Sequence, residues 1–297
     1  MENNVAVVGL GLMGSRMAAQ LVSRGFRLRG FDVDPERLEE FEALGGEAAG
    51  SPAEAVQGAW GVLLSLPTSD TSRTVCLGEG GLIESGIAPL YVYDTTTGHP
   101  EDAVAISKAL NEKGIVYADA TVSGNGEIAG RGELVVMMGG PAEAFEKGIP
   151  IFEAIGRSHH HVGPAGAGSR MKLIVNHALG IHRMALAEAL VVAELAGTDA
   201  ETTLAVLKDS LAYSRAMDAW GERMIEANHA DPFARLRQSS KDARLIVDQG
   251  QALGATMDLA SVVRDAFAEG EEEGLADLDN SAIVEVVRRR AGIGRLD

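Results

Sequence analysis

Lys172 and Asn176 combine residue types with a spacing that suits proton transfer and substrate binding. They lie four positions apart in GAGSRMKLIVN, and the chain continues with the largely apolar HALGIHRMALAEALVVAELAG. The pattern predicts one long helix, on which residues four apart share a face. An amine so placed can exchange a proton with a substrate, while the amide holds a substrate oxygen. The alternative is a lysine that extends from a buried helix to solvent.

A glycine pattern near the start of the chain predicts a second binding function. VAVVGLGLMG places Gly9, Gly11 and Gly14 in GxGxxG spacing between a predicted strand and a predicted helix. These glycines permit a tight turn, close approach of a pyrophosphate, and close packing of helix on strand. A glycine-rich turn without a ligand is the alternative. The next predicted strand ends at Asp32, however, where an acid contacts the adenosine ribose of a dinucleotide.

Asp32 also predicts which dinucleotide binds. A carboxylate accepts hydrogen bonds from the ribose 2′-hydroxyl and repels a 2′-phosphate. Arg37 is close in sequence, but it lies in the acid-rich helix PERLEEF. We therefore expect NAD as the cofactor.

The elements that position these residues change in character along the chain. Short β-rich runs alternate with helical stretches in the first half, which predicts parallel βαβ units in a doubly wound sheet. The predicted strands are VAVVG, FRLRGFD, GVLLSL, LYVYD, IVYAD, ELVVMMGG and HHHVG. From Gly166 onward only helices are predicted, beginning with a long one from about Gly168 to Leu195.

The chain is thus predicted to be an α/β protein with two domains. We expect a Rossmann-type, NAD-binding domain over residues 1–163 and an all-α domain over residues 164–297, joined by the long helix. That helix is apolar on most sides and should be buried on most sides. A second subunit would supply the burial, so we expect a homodimer or homotetramer formed through the helical domain.

The composition excludes several classes of protein. A net charge of −17 argues against a general partner of nucleic acids or acidic membranes. No apolar run reaches the roughly eighteen residues of a membrane-spanning helix, and MENN lacks the basic start of a signal peptide. The single cysteine, Cys76, cannot form an internal disulfide. These features favour a cytoplasmic protein.

A loop is predicted over DATVSGNGEIAGRGEL, Asp119 to Leu134. Ser123, Gly124 and Asn125 offer backbone amides, a hydroxyl and a side-chain amide, which together suit a carboxylate. A flexible surface loop explains this stretch equally well. No metal site is expected, because consecutive histidines at 159–161 would point to opposite faces of a strand.

Several motifs together make the sequence resemble the β-hydroxyacid dehydrogenase family, which includes 3-hydroxyisobutyrate dehydrogenase and 6-phosphogluconate dehydrogenase. The resemblance covers nearly the whole chain. It rests on GLGLMGSRMA, LP (66–67), DTTTGHP, DATVSGN, GAGSRMKLIVN and SKDARL, which occur in the family's order.

The resemblance implies a role for individual residues. Lys172 falls on the catalytic lysine, and the substrate positions are Ser123, Gly124, Asn125, Asn176 and Lys241. The cofactor positions are Gly9, Gly11, Leu12, Met13, Gly14, Asp32, Leu66, Pro67, Thr71, Thr97 and Lys241. The expected activity is hydride transfer between NAD and a small β-hydroxy acid.

Some residues depart from the family pattern. The family's DAPVSGG is DATVSGN here, with Thr121 for the proline and Asn125 for the last glycine; KDL is KDA, and DxST is DTTT. These changes lie near the substrate, so the reaction type is retained and the substrate's identity is in doubt.

Two alternative functions are compatible with much of the sequence. A semialdehyde or glyoxylate reductase of the same fold often prefers NADPH and then lacks an acid at the position of Asp32. A non-catalytic dinucleotide-binding protein would be free to lose Lys172, Asn176 and Lys241, yet all three are present.

Overall fold

The computed structural model describes residues 3–293 of the chain. Two compact units are distinguished by their internal contacts, Met1–Lys172 and Leu173–Asp297. The division falls within the long helix. The domain boundary at residue 163 remains a prediction, and the outermost residues of both predicted domains, 1–2 and 294–297, lie outside the described residues.

The first unit is built on one eight-stranded sheet in the order β3-β2-β1-β4-β5-β6-β7-β8. Its strands are β1 Asn4–Val8, β2 Arg27–Phe31, β3 Glu47–Ala48, β4 Gly61–Leu64, β5 Leu90–Asp94, β6 Ile115–Ser123, β7 Leu134–Gly139 and β8 Gly156–Gly163. The helices between them are α1 Gly14–Ser23, α2 Pro35–Ala43, α3 Pro52–Ala55, α4 Ser69–Leu77, α5 Pro100–Asn111, α6 Gly126–Gly130 and α7 Ala142–Ile155. The predicted alternation of strands and helices is confirmed.

Helices cover both faces of this sheet. In β1, Val5 and Val7 pack in one apolar cluster with residues of α1 and α7, whereas Ala6 and Val8 pack in another with residues of α4 and α5. Neighbouring residues of a strand point to opposite faces. Because the four consecutive residues Val5 to Val8 are all apolar and buried, this strand requires cover on both sides, as the doubly wound prediction expected.

The parallel pairing predicted for the βαβ units has one exception in this sheet. β6 and β7 run antiparallel, with Thr121 opposite Met137. The connection between them, residues 124–133, is shorter than the dozen or more residues that a parallel crossover needs. The predicted loop at 119–134 is also partly wrong, because residues 119–123 continue β6 and residues 126–130 form α6.

The described residues of the second unit form helices joined by turns and loops, as predicted, with one isolated β-bridge between Arg235 and Asp279. The long helix α8 spans Ala167–Ala196 and is followed by α9 Ala200–Asp209, α10 Arg215–Glu226, α11 Leu236–Ala252, α12 Asp258–Glu272 and α13 Ile283–Arg290. Leu186 and Leu190 of α8 share a core with Trp220 and Phe267.

A buried ionic network lies beside this core. The Arg288 guanidinium is fully buried and donates hydrogen bonds to Glu285, to Glu194 and to the carbonyl oxygen of Met224. His229 lies with its Nε2 3.3 Å from Glu285 Oε1. Because buried charges are costly unless they are paired, these partners must stay together for the helical unit to remain folded.

Candidate active site

The glycine-rich turn between β1 and α1 has the close backbone approaches that its motif predicts. Gly9 has φ +89°, and a Cβ there would lie 2.3 Å from the Ser65 carbonyl oxygen. A Cβ on Gly14 would lie 1.9 Å from the Gly9 carbonyl oxygen. Both positions therefore exclude a side chain, and the turn is left as the bare backbone cradle that a pyrophosphate needs.

Asp32 follows the end of β2 and faces this cradle. The residue is 7% exposed, and its carboxylate accepts hydrogen bonds from the backbone amides of Leu10 at 2.6 Å and Asp34 at 3.0 Å. The carboxylate is thus held in place beside the glycine-rich turn. This is the position from which an acid can reach an adenosine ribose.

Arg37 lies closer to this carboxylate than its position in an acidic helix suggested. Arg37 Nη1 is 3.6 Å from Asp32 Oδ2, and a Cβ on Gly11 would come within 3.1 Å of the same nitrogen. The guanidinium therefore lies over the glycine-rich turn. A cation at this place is relevant to the choice between a ribose hydroxyl and a ribose phosphate.

The remaining cofactor positions lie at the carboxyl ends of neighbouring strands. Leu12 and Met13 follow β1, while Leu66, Pro67 and Thr71 follow β4 and Thr97 follows β5. β4 and β5 pair in parallel beside β1, so these segments begin at one edge of the sheet. Dinucleotides bind at this edge in open α/β sheets.

Hydrogen bonds fix two of these segments. The Leu66 amide donates to Thr96 Oγ1 at 3.1 Å, and the Thr71 amide donates to Thr68 Oγ1 at 3.2 Å, which caps α4.

Asp94, at the end of β5, accepts from the Thr96 amide at 2.9 Å and from the Tyr117 hydroxyl at 2.9 Å. Burial raises the pKa of Asp94, against the effect of these hydrogen bonds. Asp94 opens the motif DTTTGHP, but no role was predicted for it from the sequence.

The predicted carboxylate-binding residues stand where β6 meets α6. Ser123 is the last residue of the strand, and Gly124 has φ +145°, which a side chain would strain. Asn125 caps α6, because its Oδ1 accepts a hydrogen bond from the Ile128 amide at 3.0 Å. The side-chain oxygen of Asn125 is thus engaged within the fold, and its NH₂ group is the part suited to an anion.

Lys172 and Asn176 both lie on α8, four residues apart, and both are half-buried. Within the helical unit, Asn176 Nδ2 donates to Asp242 Oδ2 at 2.9 Å. Lys241 of α11 places its Nζ 3.3 Å from Asp242 Oδ1. Asp242 therefore links two predicted substrate residues. Asp242 stands next to Lys241 in the motif SKDARL, but no role was predicted for it from the sequence.

Arg183, two turns after Asn176 on α8, adds positive charge to this part of the helical unit. Its side chain is buried, and its guanidinium lies 4.0 Å from the centre of the Trp220 ring. Burial lowers the pKa of Arg183 to about 10, while Asp279 and Asp242 act in the opposite direction. The same Asp242 that orients Asn176 is thus one of the charges that keep Arg183 protonated.

The N-terminal turn of α8 is held by Asp119 of β6. Asp119 Oδ1 accepts from the Gly166 amide at 2.9 Å and Oδ2 from the Ser169 amide at 2.7 Å. Burial raises the pKa of Asp119 to about 6, although both hydrogen bonds lower it. A carboxylate at this end of a helix also interacts favourably with the helix dipole.

Other candidate sites take no part in this arrangement. Among residues 3–293, no group of three or more metal-ligating side chains could hold an ion. His161 contacts the Gly140 carbonyl oxygen through Nε2 at 2.8 Å and stacks on Phe145. In the same part of the chain, no helix is long and apolar enough to cross a membrane.

This fold and this glycine-rich site define a dinucleotide-binding oxidoreductase with a Rossmann-type domain, and comparison with known proteins gives the family. Residues 4–163 match the model of the NAD-binding domain of 6-phosphogluconate dehydrogenase. Residues 166–287 match the model described as NAD-binding of NADP-dependent 3-hydroxyisobutyrate dehydrogenase. The chain belongs to the β-hydroxyacid dehydrogenase family and uses an NAD-type dinucleotide.

Relatives match over nearly their whole length. The chain is 31% identical over 296 residues to 2-(hydroxymethyl)glutarate dehydrogenase of Eubacterium barkeri, covering 99% of this chain and 98% of the relative. It is 32% identical over 296 residues to 3-hydroxyisobutyrate dehydrogenase of Pseudomonas aeruginosa, covering 96% and 98%. The crystal structure of 3-hydroxyisobutyrate dehydrogenase from Salmonella typhimurium matches with a TM-score of 0.87 at 26% identity, covering 95% of this chain and 99% of that one.

Proposed function

We propose that this protein interconverts a small β-hydroxy acid, similar to 3-hydroxyisobutyrate, and its semialdehyde or keto acid, with NAD as the cofactor. The observation that carries the proposal is the pair of half-buried residues Lys172 and Asn176 on one helix, with the Asn176 amide oriented by Asp242 at 2.9 Å. When bound, the nicotinamide cofactor accepts or donates the hydride.

Lys172 is the group that moves the proton. When the substrate is oxidised, its hydroxyl loses a proton as the carbon loses the hydride, and the neutral Lys172 amine accepts it. In reduction the lysine ammonium returns that proton. A half-buried amine suits both directions, because it is shielded from bulk water yet open to a ligand.

The other residues orient the reactants. Ser123, Gly124 and Asn125 hold the substrate carboxylate, and Asn176 and Lys241 hold substrate oxygens. Orientation of this kind contributes a large part of the rate, because the reacting atoms must meet at a fixed distance. The cofactor is held by the predicted cofactor positions, which are Gly9, Gly11, Leu12, Met13, Gly14, Asp32, Leu66, Pro67, Thr71, Thr97 and Lys241.

The domain and subunit organisation is part of the same proposal. Residues 1–163 form the dinucleotide domain, and residues 164–297 form the helical domain. Helix α8 exposes Ile174, Val192 and Leu195, each more than half exposed. An apolar face of this length is suited to burial by a second copy, which supports a homodimer or homotetramer formed through the helical domain. The single cysteine favours a cytoplasmic location for the enzyme.

A reductase that works chiefly on a semialdehyde or glyoxylate is the second candidate. The observation in its favour is the Arg37 guanidinium 3.6 Å from Asp32, because such a cation can accept the 2′-phosphate of NADPH. The Asp32 carboxylate opposes that binding by charge. Rates measured with NAD and NADP in parallel separate the two candidates.

The test combines a substrate panel with one pair of variants. Initial rates of NAD reduction are measured with 3-hydroxyisobutyrate, serine, glycerate, threonate and a sulfonated analogue. Lys172→Ala should lower kcat by roughly 10²- to 10⁴-fold and leave NADH binding, followed by fluorescence, nearly unchanged. The matched control is Lys113→Ala, which removes an exposed lysine of the same unit and should leave kcat unchanged.

Two outcomes would contradict the proposal. If Lys172→Ala keeps its activity, the lysine is not the acid–base group. If every substrate fails although NADH binds, the substrate assignment is wrong, and a non-catalytic dinucleotide-binding role gains support.

A further inference from the structure

Thr121 departs from the family pattern, which has a proline in this place, and its side chain is fully buried. Its hydroxyl Oγ1 lies 2.8 Å from the Gly168 carbonyl oxygen and 3.2 Å from the Met137 carbonyl oxygen. Gly168 belongs to the first turn of α8, the helix that carries Lys172. Proline has no hydroxyl, so this contact is a property of the present chain.

The Gly168 carbonyl connects Thr121 to Lys172. In an α-helix the carbonyl oxygen of residue i accepts a hydrogen bond from the amide of residue i+4. Gly168 and Lys172 are four apart within α8. The Thr121 hydroxyl and the Lys172 backbone amide therefore converge on one oxygen, and movement of that oxygen moves the backbone of Lys172.

The first turn of α8 is fitted closely to the sheet around this contact. A Cβ on Gly168 would lie 2.0 Å from the Asp119 carbonyl oxygen, and a Cβ on Gly139 would lie 2.6 Å from the Gly168 amide nitrogen. The Asp119 carboxylate binds the Gly166 and Ser169 amides from the same strand. Helix ends commonly fray, whereas this one is held from both β6 and β7.

We propose that Thr121 is a positioning residue for Lys172, acting through the Gly168 carbonyl oxygen. The inference rests on the proposed function, because it takes Lys172 as the acid–base group. Proton transfer depends on the distance between amine and substrate oxygen, and displacements on the order of 1 Å are costly to the rate. Thr121 keeps the first turn of α8 fixed, so that the backbone of Lys172 stays at a constant distance from the sheet.

Two comparisons isolate the hydroxyl. The first is between the wild type and Thr121→Val, which replaces the hydroxyl with a methyl group of similar size. The second is between Thr121→Ser and Thr121→Ala, which differ from each other only in the hydroxyl. The second pair keeps the test valid should the valine variant fail to fold. Thr203→Val in α9 is the control, because it removes a threonine hydroxyl that lies 2.8 Å from a backbone carbonyl oxygen, that of Asp199.

Two readouts are needed, and the first is independent of activity. Hydrogen–deuterium exchange of the peptide covering residues 166–175 should be faster in Thr121→Val and Thr121→Ala than in the wild type, Thr121→Ser and Thr203→Val. In the second readout, kcat should fall about three- to tenfold in the same two variants, the scale of one neutral hydrogen bond. KM for NAD should not change.

Each outcome decides the matter. Faster exchange with unchanged kcat would show a contact that holds the helix without positioning the lysine, which overturns the proposal. A lower kcat with unchanged exchange would overturn it too, because the effect would then arise elsewhere. If Lys172→Ala remains active, the proposed function fails; the exchange data then still report whether Thr121 holds α8, but the positioning role falls with the lysine.

Discussion

Replacing Asp32 with asparagine should change which dinucleotide the protein prefers. The substitution removes the negative charge and keeps the shape of the side chain, including one oxygen that can accept from the Leu10 or the Asp34 amide. The Arg37 guanidinium lies 3.6 Å from the Asp32 carboxylate and 3.3 Å from that of Asp34. It loses the first of these two acidic partners, and its Nη1 becomes available to a phosphate. A single substitution therefore weakens the binding of NAD and strengthens the binding of NADP.

The magnitude follows from these contacts. Loss of a charged hydrogen bond to the ribose hydroxyl costs about 1.5–3 kcal/mol, so KM for NAD should rise roughly 10- to 100-fold. Binding of NADP should strengthen by about 1–2 kcal/mol, the scale of a partly exposed ion pair. The repulsion between Asp32 and the 2′-phosphate is removed, and the Arg37 cation attracts that phosphate. The ratio of kcat/KM for NAD to that for NADP should then fall by roughly 10²- to 10³-fold.

Steady-state kinetics with both cofactors at one fixed substrate concentration give this ratio directly. The double variant Asp32→Asn with Arg37→Ala should lose most of the gain with NADP, which assigns the gain to the guanidinium. Thermal unfolding checks that the Asp32→Asn fold is intact, since the carboxylate also holds two backbone amides. An unchanged cofactor ratio in a folded variant would refute the contact between Asp32 and the ribose.

Two further predictions concern stability. Burial raises the pKa of Asp119 to about 6. The contribution of Asp119 to stability is therefore greatest below about pH 4 and is lost as the pH rises through 6. The unfolding free energy of the wild type relative to Asp119→Asn should fall by about 2–3 kcal/mol between pH 4 and pH 7. Urea denaturation measures the unfolding free energies of the wild type and Asp119→Asn. If their difference stays constant over this pH range, Asp119 does not titrate there. Arg288→Met leaves the buried Glu285 carboxylate without its main partner and should cost about 3–5 kcal/mol, whereas Arg290→Met breaks a more exposed pair with Glu269 and should cost about 1 kcal/mol or less. Equal losses in the two arginine variants would contradict the importance of the buried network.

Local signals account for most of what the sequence predicted about the fold. The run LYVYD was expected as a strand and forms β5 at the same residues. The long helix, expected from about Gly168 to Leu195, spans Ala167–Ala196. Apolar periodicity, glycines and prolines act within a few residues of themselves, so they are visible without a structure.

Features set by distant residues were not predicted. β3 has two residues, Glu47 and Ala48, and forms only because β2 offers an edge to pair with. The antiparallel pair of β6 and β7 depends on the length of their connection, which the reading of individual strands did not use. Arg37 could not be placed over Gly11 from the sequence, because the close approach depends on how α2 packs beside the glycine-rich turn.

In the candidate site, residue type and motif order indicated Lys172, Asn176 and Lys241, but the group that connects two of them did not stand out. Asp242 is an ordinary acid in a helix until the fold brings its two oxygens to Asn176 and Lys241. Carboxylates of this kind act by orienting other side chains, and they need no contact with cofactor or substrate to do so. Their roles follow from hydrogen bonds between helices, which no spacing within one helix encodes.

The two departures in the DATVSGN motif illustrate how a structure changes the interpretation of a substitution. Both were attributed to an altered substrate, yet both side chains have partners within the protein: Thr121 at the Gly168 carbonyl and Asn125 at the Ile128 amide. Asn125 retains its NH₂ group, a donor suited to a substrate oxygen, whereas the Thr121 hydroxyl is engaged by the carbonyl oxygens of Gly168 in α8 and Met137 in β7. Of these two residues, Asn125 is therefore the one placed to select the substrate. Asn125→Gly, which restores the family's residue, should alter the order of preference within the substrate panel.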